Sequence, residues 1–440
     1  MKVAIIGTGH VGLITGVALA SLGHDVIGMD ANPERVALLR EGTPPFEEPR
    51  LRELLQEGMQ AGRLSFTDSI KEAVGGTEVV MICVGRPPIG LGDRSLVAVE
   101  SAVRDIARHA PRGVVVVVKS TVPPGTTARI EQVIRLERPD LEFSIVSSPE
   151  FLREGHAIED TLEPDRIVAG SDSVRGIDTI RRLYAPLLDA GRRLIETDPR
   201  SAELSKLASN AFLAMKISYA NALAQVAEKA GADVTEVTQI MGADARIGSS
   251  FLGAGLGYGG YCLPKDIVTL ERVAERLGYD FGLLREATKI NDEALESVAR
   301  KVEEAVWNLE GKRVAVFGLA FKAGTDDIRG APALGLVRRL LQEGAEVVAW
   351  DPMAGELAKA EIPELKLADD PMAAASGAHC VVICTEWPEI RGLDLDELRS
   401  QMAYPVVVDG RNVLDGGKAS AAGITYHSVG RPGAPAAAAP

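Results

Sequence analysis

Aromatic side chains make up only 4% of this 440-residue sequence, too few for a base-stacking platform on single-stranded nucleic acid. Basic charge is short as well. Lys and Arg number 48 against 62 Asp and Glu, a formal net charge of −14. That balance excludes nucleic acid or an anionic membrane face as the main partner, although a few local groups suffice to hold a small anion. No uninterrupted run approaches the roughly 18 apolar residues of a membrane span. Four cysteines, Cys83, Cys262, Cys380 and Cys384, are too few for a disulfide framework. The six histidines are scattered without zinc-site spacing, so no metal is expected. Met1-Lys2 with Ala18-Leu19-Ala20-Ser21 superficially resembles a secretory signal, but Gly7, Gly9, His10 and Gly12 break its apolar core. The cytoplasm is therefore the expected compartment.

What is present is ordinary globular usage, 46% hydrophobic and 25% charged, with length for two or three domains. Strands are expected at 2–6, 26–30, 79–84, 114–118 and 143–146, with helices between some of them, the first at 11–23. Such alternation implies a parallel, doubly wound sheet. From Ser201 to Leu309 the apolar residues recur at helical spacing (Leu204, Leu207, Ala208, Ala211, Phe212, Met215). Strand-like runs resume at 313–318, 346–350, 380–384 and 406–409. The expected fold class is α/β, two Rossmann-like doubly wound domains joined by a central helical region. The domains would span 1–200, 201–309 and 310–429, with a disordered Gly, Pro and Ala tail at 430–440.

Gly7-Thr8-Gly9-His10-Val11-Gly12 follows the first strand and opens the first helix, the context a dinucleotide fingerprint requires. Its glycines permit the tight turn, the approach of pyrophosphate and close helix packing. The phosphates would then meet the positive end of a helix. Asp30, 18 residues after Gly12, is placed to bond ribose hydroxyls and to repel a 2′-phosphate. NAD is thus preferred to NADP, and nothing else suggests the competing flavin.

Residues 253–260 hold five glycines in eight positions, a loop that closely approaches something. Pro264 suits the first position of a helix over 264–277. Cys262 would sit just before that helix with Lys265 nearby, both favouring a thiolate. A nucleophile and a small filler beneath the loop remain equally open for Cys262 from these residues alone. Lys206 and Asn210 share a helix face four residues apart. They read either as oxyanion stabilisers or as a solvated pair. Glu150, Glu154 and Thr121 follow strand ends, where open α/β sheets bind ligands and where a general base can act. A Thr at a strand end is equally ordinary turn chemistry.

Taken together, these segments closely resemble the UDP-glucose and GDP-mannose dehydrogenase family over nearly the whole chain. The matching stretches run from Lys119-Ser120-Thr121-Val122-Pro123 through Pro149-Glu150-Phe151-Leu152-Arg153-Glu154-Gly155 and Ala202-Glu203-Leu204-Ser205-Lys206-Leu207. They continue through Gly259-Gly260 with Cys262 and Pro264-Lys265-Asp266 to Gly318-Leu319-Ala320-Phe321-Lys322 and Asp409-Gly410-Arg411-Asn412. The resemblance implies a four-electron oxidation of a nucleotide-sugar C6 alcohol to the carboxylate, with two NAD reduced in succession. It makes Cys262 the nucleophile, Lys206 and Asn210 oxyanion stabilisers, and Asp266 the group that holds or activates water. Thr121 and Glu154 would position a water and act as base. Cofactor contacts are implied for Gly7, Gly9, His10, Val11, Gly12, Asp30, Arg35, Thr121, Glu154, Lys265 and Arg329. Substrate contacts are implied for Glu150, Phe151, Leu152, Lys206, Asn210, Arg246, Phe251, Tyr258, Gly259, Phe321, Lys322 and Arg411. Arg246 would reach the phosphates held by a neighbouring subunit, which implies a homodimer or larger oligomer through the central helices.

Five positions depart from the family pattern: Arg86, Ser148, Ala222, Tyr261 and Leu263. None removes a catalytic group, while Tyr261 and Leu263 bear on the shape of the sugar pocket. Arg153-Glu154-Gly155 resembles the UDP-glucose branch, so UDP-glucose to UDP-glucuronate is the expected reaction. GDP-mannose or a UDP-N-acetylhexosamine is the enzymatic alternative. A silent sensor of NAD or nucleotide sugar is the alternative from another class, and a hydroxyacid dehydrogenase would not need Cys262.

Overall fold

The computed structural model describes residues 1–85 and 97–432. Arg86 and residues 433–440 of the expected tail lie outside the described residues. Two units divide the chain, Met1–Ser209 and Asn210–Pro440.

The first unit is built on strands β1 (Lys2–Ile6), β2 (Asp25–Met29), β3 (Leu64–Thr67), β4 (Val79–Ile82), β5 (Val114–Val118), β6 (Phe143–Ser147), β7 (Ile167–Gly170) and β8 (Leu194–Thr197). They form one sheet in the order β3-β2-β1-β4-β5-β6-β7-β8. The reversal of strand order between β1 and β4 is the doubly wound switch point, where ligands bind beyond the carboxyl ends of strands. Side chains alternate across this sheet. Val3, Ile5, Val115 and Val117 pack into one core, while Ala4, Ile6, Val114, Val116 and Val118 pack into another. Burial on both faces explains why these strands read as unbroken apolar runs rather than as alternation.

The expectation of a wholly parallel sheet needs one correction. β7 joins β6 antiparallel through Ser147 and Gly170, and β8 then runs parallel to β7. β3, β7 and β8 were not anticipated. They have only four residues each, and β8 is half exposed at the sheet edge, so no long apolar run announces them.

The second unit begins within the long helix Pro199–Ala230 and adds helices Val234–Gly242, Cys262–Arg276 and Gly282–Val306. Between Thr197 and Arg313 the described residues contain no strand. Then come β9 (Arg313–Phe317), β10 (Glu346–Trp350), β11 (Lys366–Leu367), β12 (Cys380–Ile383), β13 (Val406–Asp409) and β14 (Thr425–Ser428). Their order, β11-β10-β9-β12-β13-β14, is parallel throughout and repeats the winding of the first six strands of the other unit. Among the described residues no helix is long and apolar enough to cross a membrane.

Candidate active site

The dinucleotide turn follows from the switch-point geometry. Gly7 adopts φ +93°, and a Cβ there would fall 2.9 Å from the Cys83 carbonyl oxygen. Only glycine fits both conditions. A Cβ on Gly9 would meet nothing within 4 Å, so open space lies above the second glycine. Helix His10–Ser21 starts at Gly9 with no side-chain cap, leaving its N–H groups directed at that space. Asp30 follows β2. Its Oδ2 accepts from the Thr8 amide (2.9 Å) and hydroxyl (3.0 Å), its Oδ1 from the Asn32 amide (3.0 Å). Arg35 Nη1 donates to Oδ2 at 3.0 Å. Burial alone would raise the Asp30 pKa; the amides of Asn32 and Thr8 and the Arg35 guanidinium outweigh it and hold the carboxyl below its ordinary value. A fixed carboxylate beside an open, uncapped helix end fits a dinucleotide with a free ribose diol.

On the same sheet edge, parallel pairing of Val118 with Ser147 brings out the segments after β5 and β6 together. Thr121 and Glu154, both half-buried, leave the sheet there. Glu150 and Lys206 are buried and paired at 3.1 Å, and the Leu152 amide donates to Glu150 at 2.7 Å. Burial opposes ionisation of Glu150; the Lys206 ammonium and the Leu152 amide overcome it, so its carboxyl titrates below the ordinary range. Lys206 also lies 5.4 Å from the Phe151 ring centroid, whose face carries Arg166 at 3.8 Å. The solvated reading of Lys206 is thereby excluded.

Two further acids here have no role legible in the sequence. Glu48 is buried, accepts from the amides of Gly155 (2.8 Å) and Ala157 (2.7 Å), and lies 3.9 Å from His10 Nε2. Glu203, quoted above only as part of a motif, accepts from the amides of Gly125 (2.5 Å) and Thr127 (2.6 Å) and from the Thr127 hydroxyl. It thus caps helix Thr126–Glu137. Burial raises its pKa. Isolated acids in loops and helix starts carry no local pattern that announces such a partner.

In the second unit, helix Cys262–Arg276 begins two residues earlier than Pro264 suggested, with Tyr261 as N-cap. Pro264 falls inside the first turn, where its missing N–H loses no helical bond. Cys262 is therefore the first helical residue, half-buried, while burial pushes the thiols of Cys83, Cys380 and Cys384 up to about 12. Those three are core residues, as expected. Asp266 is fully buried and central to a small cluster. Asn210 Nδ2 donates to its Oδ2 at 2.7 Å, and Lys265 Nζ lies 2.8 Å from its Oδ1. Asn210 is thus no surface residue. Tyr261, one of the departures, offers its ring to Lys265 (5.4 Å) and Arg329 (4.7 Å).

The remaining expected residues have varied surroundings. Phe321 lies against Gly260, while Tyr258 and Gly259 are buried and Lys322 is half-buried. Arg411 directs its guanidinium at backbone carbonyls of Cys384 (2.9 Å), Gly257 (3.0 Å) and Phe321 (3.4 Å). Phe251 is half-buried at φ +64°. Arg246 is exposed and holds only Asp244 among the described residues, by a bidentate pair. Among the described residues no cluster of three or more His, Cys, Asp or Glu is arranged to hold a metal ion.

Comparison with known proteins agrees with this architecture. Sequence models of one family match in order: its NAD binding domain over residues 1–188, its central domain over 200–293 and its UDP binding domain over 315–416. A protein of Rhizobium meliloti named UDP-glucose 6-dehydrogenase is 43% identical, covering 98% of this chain and 100% of that one. The solved structure of a UDP-glucose dehydrogenase from Pyrobaculum islandicum aligns with a TM-score of 0.91 at 40% identity, over 98% of each chain. A UDP-D-ManNAc dehydrogenase from Pyrococcus horikoshii aligns at 0.87 with 30% identity, over 98% of this chain and 99% of that one. The chain belongs to the UDP-glucose/GDP-mannose dehydrogenase family of NAD-dependent oxidoreductases.

Proposed function

We propose that this enzyme oxidises the C6 alcohol of UDP-glucose to the carboxylate through a thioester on Cys262. The observation that carries the mechanism is Cys262 in the first turn of its helix, followed by the buried Lys265–Asp266–Asn210 cluster. The positive end of that helix favours negative charge on sulfur. The UDP-glucose assignment is supported by full-length relatives of that name at 43% and 40% identity, against 30% for the N-acetylmannosamine enzyme.

NAD, when bound over the Gly7–Gly12 turn, supplies the hydride acceptor. Glu154, with a water held by Thr121, takes the alcohol proton as the C6 hydride leaves. The Cys262 thiolate adds to the aldehyde carbon, forming a C–S bond, and the resulting alkoxide is stabilised by the Lys206 ammonium and the Asn210 amide. Glu150 keeps Lys206 oriented for that role. Loss of a second hydride gives the thioester. Water activated by Asp266 then breaks the C–S bond, releasing carboxylate and regenerating the thiolate. In sum, alcohol, one water and two NAD+ give carboxylate, two NADH and three protons.

A second copy of the chain belongs to this reading. Phe212, Tyr219 and Val226 recur every seven residues on helix Pro199–Ala230 and are 60%, 55% and 61% exposed. Such an apolar stripe suits a matching helix, and an exposed Arg246 is available to a neighbour's substrate. We assign the enzyme to the cytoplasm.

The test follows NADH absorbance with UDP-glucose, GDP-mannose and a UDP-N-acetylhexosamine while carboxylate is quantified. Turnover of UDP-glucose with two NADH per carboxylate is expected. One NADH per product, or turnover confined to another sugar, overturns the proposal.

A further inference from the structure

The loop that precedes Cys262 is held by side chains that the proposed chemistry does not use. Asn291, on helix Gly282–Val306, forms a two-way bridge with the main chain of Tyr258. Its Oδ1 accepts from the Tyr258 amide at 2.7 Å, and its Nδ2 donates to the Tyr258 carbonyl at 3.1 Å. Asn221, on helix Pro199–Ala230 and buried, accepts the Gly255 amide at 2.8 Å. Between these anchors the Leu256 amide donates to the Gly410 carbonyl at 3.0 Å, and Arg411 donates to the Gly257 carbonyl at 3.0 Å. Gly257 has φ +100°, and a Cβ there would lie 2.7 Å from Asn291 Oδ1.

A glycine-rich segment has the largest backbone entropy to lose on ordering. Its buried amides and carbonyls must find partners. Here each residue from 255 to 258 has a main-chain group fixed by another segment of the same unit. Unlike an ionised carboxylate, a carboxamide offers an acceptor and a donor side by side, as the bridge to one residue's N–H and C=O requires.

We propose that Asn291, assisted by Asn221, is a positioning residue that fixes the 255–258 loop and thereby sets where the Cys262 sulfur stands. The proposal deepens the thioester reading and rests on it for its kinetic consequence. A displaced sulfur misses the aldehyde, because covalent capture depends on near-attack geometry within a fraction of an ångström. The first oxidation does not need the sulfur. Aldehyde should therefore escape when the loop is loosened.

The experiment uses Asn291→Asp, which keeps the acceptor for the Tyr258 amide but turns a second oxygen toward its carbonyl. Three quantities are read on folded full-length protein: NADH per carboxylate, free aldehyde trapped by hydroxylamine, and the rate of Cys262 alkylation by iodoacetamide without substrate. The variant should exceed two NADH per carboxylate, release trappable aldehyde, lose about tenfold or more in kcat with KM little changed, and alkylate Cys262 at an altered rate. Asn291→Gln, which retains both groups, should recover part of the coupling. Coupling at two with an unchanged alkylation rate, accompanied only by lower Tm, means that Asn291 merely stabilises the fold and overturns the proposal. If Asn291→Asp does not accumulate as folded protein, Asn221→Ala carries the same expectations through the Gly255 anchor. The alkylation readout needs no sugar, so it decides the positioning claim even if wild-type stoichiometry overturns the thioester reading.

Discussion

At the scale of single residues, charges held in fixed pairs decide both cofactor choice and acid sensitivity. Asp30 occupies Arg35 and presents a carboxylate at the end of β2. Asp30→Ser removes that charge and frees Arg35 for a 2′-phosphate. We expect kcat/KM for NAD to fall about ten- to a hundredfold, as losing hydrogen bonds to a charged group implies, and NADP use to rise. A folded variant that still refuses NADP would show that Asp30 does not exclude it. Glu150 is the second case. Its carboxyl titrates below its unfolded value, so its contribution to stability is complete above the unfolded pKa of about 4.3 and disappears as pH falls through the folded value. Glu150→Gln removes the buried negative charge beside Lys206 and should cost about 3–5 kcal/mol near neutral pH. The gap to wild type should narrow as pH drops below about 4. Urea midpoints measured from pH 7 to pH 3 check this; a gap that widens in acid would contradict it.

At the scale of elements, helix ends show where local chemistry is legible and where it is not. Helix Gly282–Val306 ends at Trp307, which takes φ +66° and is 95% exposed. A positive φ at a helix C-terminus favours glycine, and this side chain packs against little. Trp307→Gly should therefore stabilise the enzyme by about 0.5–1 kcal/mol, read as a higher urea midpoint with unchanged m. Helix His10–Ser21 was readable from the glycine turn before it, and strands β1, β2, β4, β5 and β6 because burial on both sheet faces leaves mostly apolar runs. β7 and β8 were not readable: each has only four residues, β8 lies half exposed at the sheet edge, and strand direction has no sequence signal. The start of helix Cys262–Arg276 was misplaced by two residues because proline is compatible with any position in a first turn. Cys262, Lys206 and Asn210 were visible only as open alternatives until a whole set of motifs coincided. Pairing across long sequence separations (Glu150 with Lys206, Asn210 with Asp266, Asn291 with Tyr258) exists only in the folded chain.

At the scale of the whole molecule, two sheets of the same winding order were foreseeable from strands recurring at both ends of the chain. The proposed subunit contact is a matter of surface. Because Phe212, Tyr219 and Val226 present one apolar stripe, Tyr219→Arg should place a charge in the proposed dimer contact and shift the enzyme toward monomer. Light scattering on wild type and variant reports this directly; an unchanged mass would move the contact to another face. If Arg246 serves a neighbouring subunit, the monomeric variant should also show a raised KM for the nucleotide sugar.

The central claim is the covalent one, and it is tested most directly by mass spectrometry of acid-quenched turnover with UDP-glucose and NAD. The peptide bearing Cys262 should carry the added mass of a UDP-hexuronyl group as a thioester labile to hydroxylamine, and Cys262→Ala should form neither adduct nor carboxylate. Carboxylate formed at the normal rate by Cys262→Ala would contradict the account.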